Sequence, residues 1–212
     1  MLVSFDLWNT LIKSNPDFRE MRHDYVREFF KKDLGDSYID HAFDSVKNTL
    51  NSVIEQTGWQ PTTEQILRML FSNFGITYDN FNKLHAALFH KQYQELAIQI
   101  PPLVYSEETL PALRDLVQAG RTIKISSNTM FITGETLKKI LFNADIKYAS
   151  FHCFSDQVGY AKPDVRMYST SSVHVGDNIL TDVDGPRKLG IKSFLINTND
   201  KTISDAVEFI LQ

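Results

Sequence analysis

Asp6 follows the apolar run LVSF, Ser127 and Asn128 close TIKISSN, Lys162 lies beyond ASFHCFS, and Asp177 and Asp182 follow SVHVG. These residues supply a hydroxyl, an ammonium and three carboxylates, each a little past a segment that reads as a β-strand. Carboxylate oxygens are hard donors suited to Mg²⁺, which takes one or two of them, keeps several waters and binds substrate phosphate. Ser127 and Lys162 offer a donor and a cation to the remaining phosphoryl oxygens, and Lys162 also screens the acids from one another. A carboxylate can attack phosphorus, so that one difficult hydrolysis becomes two easier steps through an aspartyl-phosphate.

Bringing these groups to one rim requires parallel strands that end together, because ligands of doubly wound sheets bind beyond the strands' carboxyl ends. Leu2 to Phe5 is a short apolar strand of the kind covered on both faces. Helical spacing then takes over for nearly a hundred residues. The spacing predicts helices over 17–34 and 37–57, a third from Pro61 to Phe74, and a fourth opening at Asp79 with Phe81, Leu84 and Leu88 as its apolar stripe. After Pro101 and Pro102 strands and helices alternate: a helix from Glu107 to Ala119, TIKISS, a helix from Glu135 to Phe142, ASFHCFS, SVHVG, a helix from Leu180 to Leu189, KSFLIN and a last helix from Ile203. The expected fold is α/β, a Rossmann-like doubly wound parallel sheet with helices on both faces and an inserted all-α helical cap. Residues 1–13 and 101–212 form the core domain and 14–100 the cap. Tyr25, Phe29 and Trp59 are expected to line a cavity under that cap.

A formal charge of −4 leaves no basic excess for neutralising nucleic-acid phosphates, so no nucleic-acid partner is expected. No apolar run approaches a membrane span or the core of a signal peptide, and the single cysteine, Cys153, forms no internal disulfide. A cytoplasmic protein without a membrane partner is the resulting expectation. The six histidines show no metal-ligand spacing and read as surface or packing residues.

The segments FDLWNTL, SSN, GYAKPD and GDNILTD, in this order and with a helical insert after the first, resemble the four motifs of the haloacid dehalogenase-like hydrolase superfamily. The subclass is the one whose cap lies between motifs one and two, and the resemblance covers nearly the whole chain. It implies Asp6 as nucleophile, with Ser127 and Lys162 holding the phosphate. Mg²⁺ would be bound by Asp6, Asp177 and the backbone carbonyl of Trp8, with Asp182 supporting. Thr10, Ser127, Asn128 and Lys162 become the substrate-binding set, and a small phosphorylated metabolite the substrate.

The sequence departs from that pattern in three places. Phosphatases of the family carry a second aspartate where this chain has Trp8, so the usual acid–base is missing, a loss typically of about 10² to 10⁴ in rate. Asn9 replaces a glycine, and asparagine is the next-best residue for a left-handed turn. Only 14 residues separate Lys162 from Asp177, where relatives fit a full helix, so that edge of the sheet is expected to be trimmed. Trp8 leaves two further readings open, a non-catalytic protein that binds a phospholigand or a protein partner, and a carbon–halogen hydrolase.

Overall fold

The computed structural model describes residues 1–197 and 201–212. Among the described residues seven strands form: β1 (Leu2–Phe5), β2 (Ile12–Lys13), β3 (Leu103–Val104), β4 (Thr122–Ser127), β5 (Ala149–Phe154), β6 (Val173–Gly176) and β7 (Lys192–Leu195). Five of them make a parallel sheet in the order β5-β4-β1-β6-β7, while β2 and β3 pair as a separate antiparallel ribbon that the sequence pattern did not reveal.

The chain leaves β1 in one direction, through β4 to β5, and later in the other, through β6 to β7. Right-handed crossovers therefore place the connections of the two halves on opposite faces. On one face Val3, Phe5, Ile123, Ile125, Val173 and Val175 enter a common core with Leu113, Leu137 and Ile210. Those partners come from α5 (Thr109–Gln118), α6 (Gly134–Asn143) and α9 (Ile203–Leu211).

The opposite face is built differently. Between β5 and β6 the chain has room only for the single turn Ser155–Val158 and a 3₁₀ turn, Val165–Tyr168. Both strands nevertheless form and keep their places in the sheet, so the expectation of a trimmed sheet edge is corrected. The shortening falls on the covering layer. A turn in place of a helix aims backbone carbonyls at the sheet, and buried carbonyls require donors. The buried Lys124 ammonium donates to the carbonyls of Met167 (2.9 Å) and Ser169 (3.2 Å), and the Ser126 hydroxyl to that of Met167 (2.9 Å). After β6 the predicted helix over 180–189 is a π-helical turn, Ile179–Asp184, followed by one turn at Gly185–Arg187.

Residues 16–99 carry α1 (Pro16–Phe30), α2 (Asp36–Thr57), α3 (Thr63–Asn73) and α4 (Lys83–Gln99), packed on a core that includes Val26, Ile39, Phe43, Leu70, Phe71 and Phe89. Two boundaries differ from expectation. Lys31, at φ 51, turns the chain left-handed and ends α1 four residues early. Asp79 lies in a 3₁₀ turn, and α4 begins only after Asn82, whose side chain caps it. The buried face of α4 also differs from the expected stripe: Leu84 (84%) and Leu88 (49%) are exposed, and Ala86, Phe89, Tyr93 and Leu96 are buried instead. No helix among the described residues is long and apolar enough to cross a membrane.

The thin crossover makes Lys124 a structural cation. Lys124→Met keeps the aliphatic stem but takes the ammonium donor from the Ser169 carbonyl and one of two donors from the Met167 carbonyl, and should cost about 1–3 kcal/mol in urea unfolding. A loss below about 0.5 kcal/mol, the scale of an ordinary surface substitution, would show that water replaces the ammonium.

Candidate active site

Asp6 lies one residue past β1, its amide donating to the Val175 carbonyl at 2.8 Å, so the sheet ladder fixes its position. Ser127 ends the neighbouring β4, and Asp177 follows β6 on the other side. The reversal in strand order lies at β1, where an open α/β sheet leaves a crevice for a ligand. Asn9 turns the chain after β1 at φ 56, in the left-handed conformation expected of it.

The Lys162 ammonium, 2% exposed, sits between two acids, 2.5 Å from Asp6 Oδ1 and 2.6 Å from Asp182 Oδ1. Its backbone is clamped by Asn128: the Lys162 amide donates to Asn128 Oδ1 (2.6 Å), and Asn128 Nδ2 donates to the Lys162 carbonyl (2.9 Å). Asn128, expected to bind substrate, has its amide occupied in placing Lys162. Thr10, also expected in the substrate-binding set, lies outside the cavity lining, and its hydroxyl donates to Asp6 Oδ2 at 3.4 Å.

Asp182 accepts from three directions: Lys162 and His174 Nε2 (2.9 Å) at Oδ1, and the Asn178 amide (3.0 Å) at Oδ2. Gly176 is required for this arrangement, because a Cβ there would collide with the Asp182 carboxylate. His174 is fully buried, and its Nδ1 meets the Ser4 hydroxyl at 2.7 Å. Burial lowers the pKa of His174 against the pull of Asp182, so the ring is neutral, with Nε2–H donating to Asp182 and Ser4 donating to Nδ1. Neither Ser4 nor His174 was singled out in the sequence. A lone imidazole in the apolar strand VHVG, two residues from Gly176 on the same face, was the available signal.

The electrostatics are dominated by burial. Desolvation, with Asp182 and Asp177 adding like charge, pushes Asp6 up to about 7 despite Lys162. Asp177 is raised by burial and by Asp182. Burial opposes ionisation of Asp182 as well, but Lys162 and His174 outweigh it and hold that carboxyl well below the usual range. One oxygen each from Asp6, Asp177 and Asp182 lie within 4.8 Å of one another. Three acids facing one ammonium favour a divalent cation, and hard oxygens at this spacing fit Mg²⁺. The Trp8 carbonyl has no intramolecular donor among the described residues and is free to join them.

These groups open into a cavity of about 480 Å³, within the usual range for small-ligand sites. Asp6, Trp8, Ser127, Asn128, Lys162, Asp177 and Asp182 line one part of it. The helical block lines the rest with Phe18, Arg19, Arg22, Lys47, Glu55 and Tyr93 among others. Tyr25 and Phe29 are instead packed in the helical core, against Phe89, and Trp59 bridges to Tyr160 outside the cavity. The expectation that they line it is corrected, because α1 turns Phe18 and Arg22 inward. The two walls meet where Asn178 Nδ2 donates to Glu55 Oε1 (3.0 Å) and Gln94 Nε2 to the Phe131 carbonyl (2.8 Å).

No protein-family model matches the chain. A glyceraldehyde 3-phosphate phosphatase of Methanothermobacter thermautotrophicus is 27% identical over 181 residues, 72% of this chain and 76% of that protein. Among solved structures, the HAD-hydrolase YfnB of Bacillus subtilis, determined with bound magnesium, superposes at a TM-score of 0.69 with 14% identity, covering 99% of this chain and 97% of that one. The L-2-haloacid dehalogenase RSc1362 gives 0.63 with 15% identity over 100% and 98%. The HAD phosphatase of Thermococcus onnurineus gives 0.57 with 17% identity over 99% and 97%. The parallel sheet, the crossovers on its two faces and these superpositions agree: the chain has the fold of the haloacid dehalogenase-like hydrolases.

Proposed function

We propose that this chain is a Mg²⁺-dependent phosphohydrolase that attacks a small phosphorylated molecule with Asp6, and that helices α1–α4 serve as its cap. The observation that carries this reading is the placement of Lys162 between Asp6 and Asp182, with Asp177 completing the carboxylate group. Similarity to the archaeal glyceraldehyde 3-phosphate phosphatase supports the reaction class. Asp6, Asp177 and the Trp8 carbonyl, with Asp182 behind, would hold Mg²⁺, which would supply positive charge to the phosphoryl oxygens.

An Asp6 oxygen forms a bond to phosphorus while the bond to the leaving oxygen breaks, giving an aspartyl-phosphate. Lys162 and the Ser127 hydroxyl hold phosphoryl oxygens in place. The leaving oxygen needs a proton, and Trp8 has none to give it. Among the described residues, Glu55 is the one carboxyl on the cavity wall outside the acidic group, and its bond to Asn178 holds it beside Asp177. Glu55 protonates the departing oxygen, then takes a proton from the water that attacks phosphorus, which releases phosphate and regenerates Asp6.

A panel of phosphate esters including p-nitrophenyl phosphate, assayed with and without Mg²⁺, tests the function. Phosphate release that chelation and Asp6→Asn both abolish is expected. Asp177→Ala should weaken Mg²⁺ in calorimetry more than Asp182→Ala, for which about 10 to 100-fold is the outer-shell scale. Silence across the panel, or metal-independent halide release from a 2-haloacid, overturns the reading.

Glu55→Gln preserves the acceptor for Asn178 and removes only the exchangeable proton. It should slow alkyl phosphates by about 10² to 10⁴ and aryl phosphates, whose leaving groups depart unprotonated, far less. Equal losses on both would remove Glu55 from the reaction.

The raised pKa of Asp6 fixes the sign of a pH effect on stability in metal-free protein. An ordinary Asp titrates near about 3.9, so native Asp6 keeps a proton that the unfolded chain has released, and stability falls between there and about pH 7. With chelator present, Asp6→Asn should raise Tm more at about pH 8 than at about pH 5. A gain independent of pH would mean that Lys162 holds Asp6 ionised throughout.

A further inference from the structure

The helical wall of the cavity carries Arg19 and Arg22 from α1 and Lys47 from α2. Arg22 is built into that wall: it lies over the Phe43 ring at 4.5 Å, and its Nη2 donates to Asp40 Oδ1 at 2.5 Å. Its Nε is buried and has no partner, which leaves a donor of a positioned guanidinium unused. Asp40 also accepts from Arg19 Nε (3.0 Å) and meets His23 Nε2 at 2.8 Å, so one carboxylate is shared by two guanidiniums and an imidazole. Lys47 is exposed and has no carboxylate within ion-pair distance among the described residues. Asp40 does not line the cavity, and Glu55, the acid that does on this side, is bound to Asn178. This wall therefore presents surplus positive charge, in a cavity that Phe18, Ile54, Tyr93 and Phe131 also line.

We infer that the substrate carries a second anionic group, a carboxylate or a further phosphate, on the part that leaves, and that Arg22 and Lys47 recognise it. The inference rests on the phosphohydrolase reading for which end of the ligand enters first. A guanidinium that lines the cavity, with only part of its charge answered by the shared Asp40, is matched better by an oxyanion than by a neutral leaving group, so the site discriminates by charge as well as by contact. Lys47 adds a mobile point charge at the cavity's edge, whereas Arg22, held by Phe43 and Asp40, fixes direction.

Binding to Asp6→Asn protein with Mg²⁺ tests this without turnover. Calorimetry would compare 3-phosphoglycerate with glycerol 3-phosphate, and propane-1,3-diyl bisphosphate with propyl phosphate. At least one ligand with an anionic far end should bind about tenfold or more tightly than its neutral-end partner, the scale of a charge-assisted hydrogen bond. The preferred pair identifies the group as carboxylate or phosphate. Adding Arg22→Gln should bring that ratio towards one, and Lys47→Gln, at an exposed position, should reduce it several-fold. Ratios near one for both pairs, or a ratio that survives both substitutions, overturn the inference. If the parent protein hydrolyses no ester, the phosphohydrolase reading fails, while these dissociation constants still decide whether the wall reads an anion.

Discussion

The ammonium of Lys162, buried between Asp6 and Asp182, is the contact on which the remaining site geometry depends. A buried carboxylate is tolerable only when paired and hydrogen-bonded. Lys162 provides that for two acids on different strands, and so draws together the end of β1, the turn after β6 and the loop after β5. Each partner is held from behind: Lys162 by Asn128, Asp182 by His174 and the Asn178 amide, and Asp6 by the β6 ladder. Residues that touch no cavity wall, Ser4 and His174, thus determine where the acids stand. Removing Lys162 is the severe change, because it leaves buried Asp182 without its ammonium partner in the interior.

Strand order does the rest. Because the chain turns back at β1, acids from β1 and β6 face a hydroxyl from β4 across one crevice, and the helical block is inserted where it roofs that crevice. The second half of the sheet receives little chain to cover it. Lys124 and Ser126 are the answer to that shortage, and they explain why a cation appears in the middle of a strand otherwise read as apolar and β-branched.

Much of this was legible in the sequence, since the strand ends announce themselves by apolar runs that stop at Asp6, Ser127 and Asp177. The helices were legible where caps and periodicity agree, as in α3 with its Thr62–Gln65 capping box. They were misread in α4, whose start was set at Asp79 instead of Asn82 and whose apolar residues allow two stripes, Phe81, Leu84 and Leu88 or Ala86, Phe89 and Tyr93, of which packing buries the second. The cavity lining was the least legible, because Tyr25, Phe29, Phe18 and Arg22 all lie on α1, and only packing decides which of its faces turns inward. His174, held by Ser4, Glu55, held by Asn178, and Arg22, held by Asp40, gained their places through partners more than a dozen residues away, which no local pattern encodes.

The two faces of the sheet also respond to temperature by different physics. One is held by aliphatic side chains on three helices, an attraction driven largely by release of water near room temperature and weaker on cooling. The other is held by Lys124, Ser126, Ser4 and His174, groups whose exposure on unfolding lowers the heat capacity where apolar exposure raises it. The face that positions Asp182, where only a small cluster of Cys153, Met167 and Tyr168 adds apolar area, therefore contributes less to the heat capacity of unfolding than the helical face does.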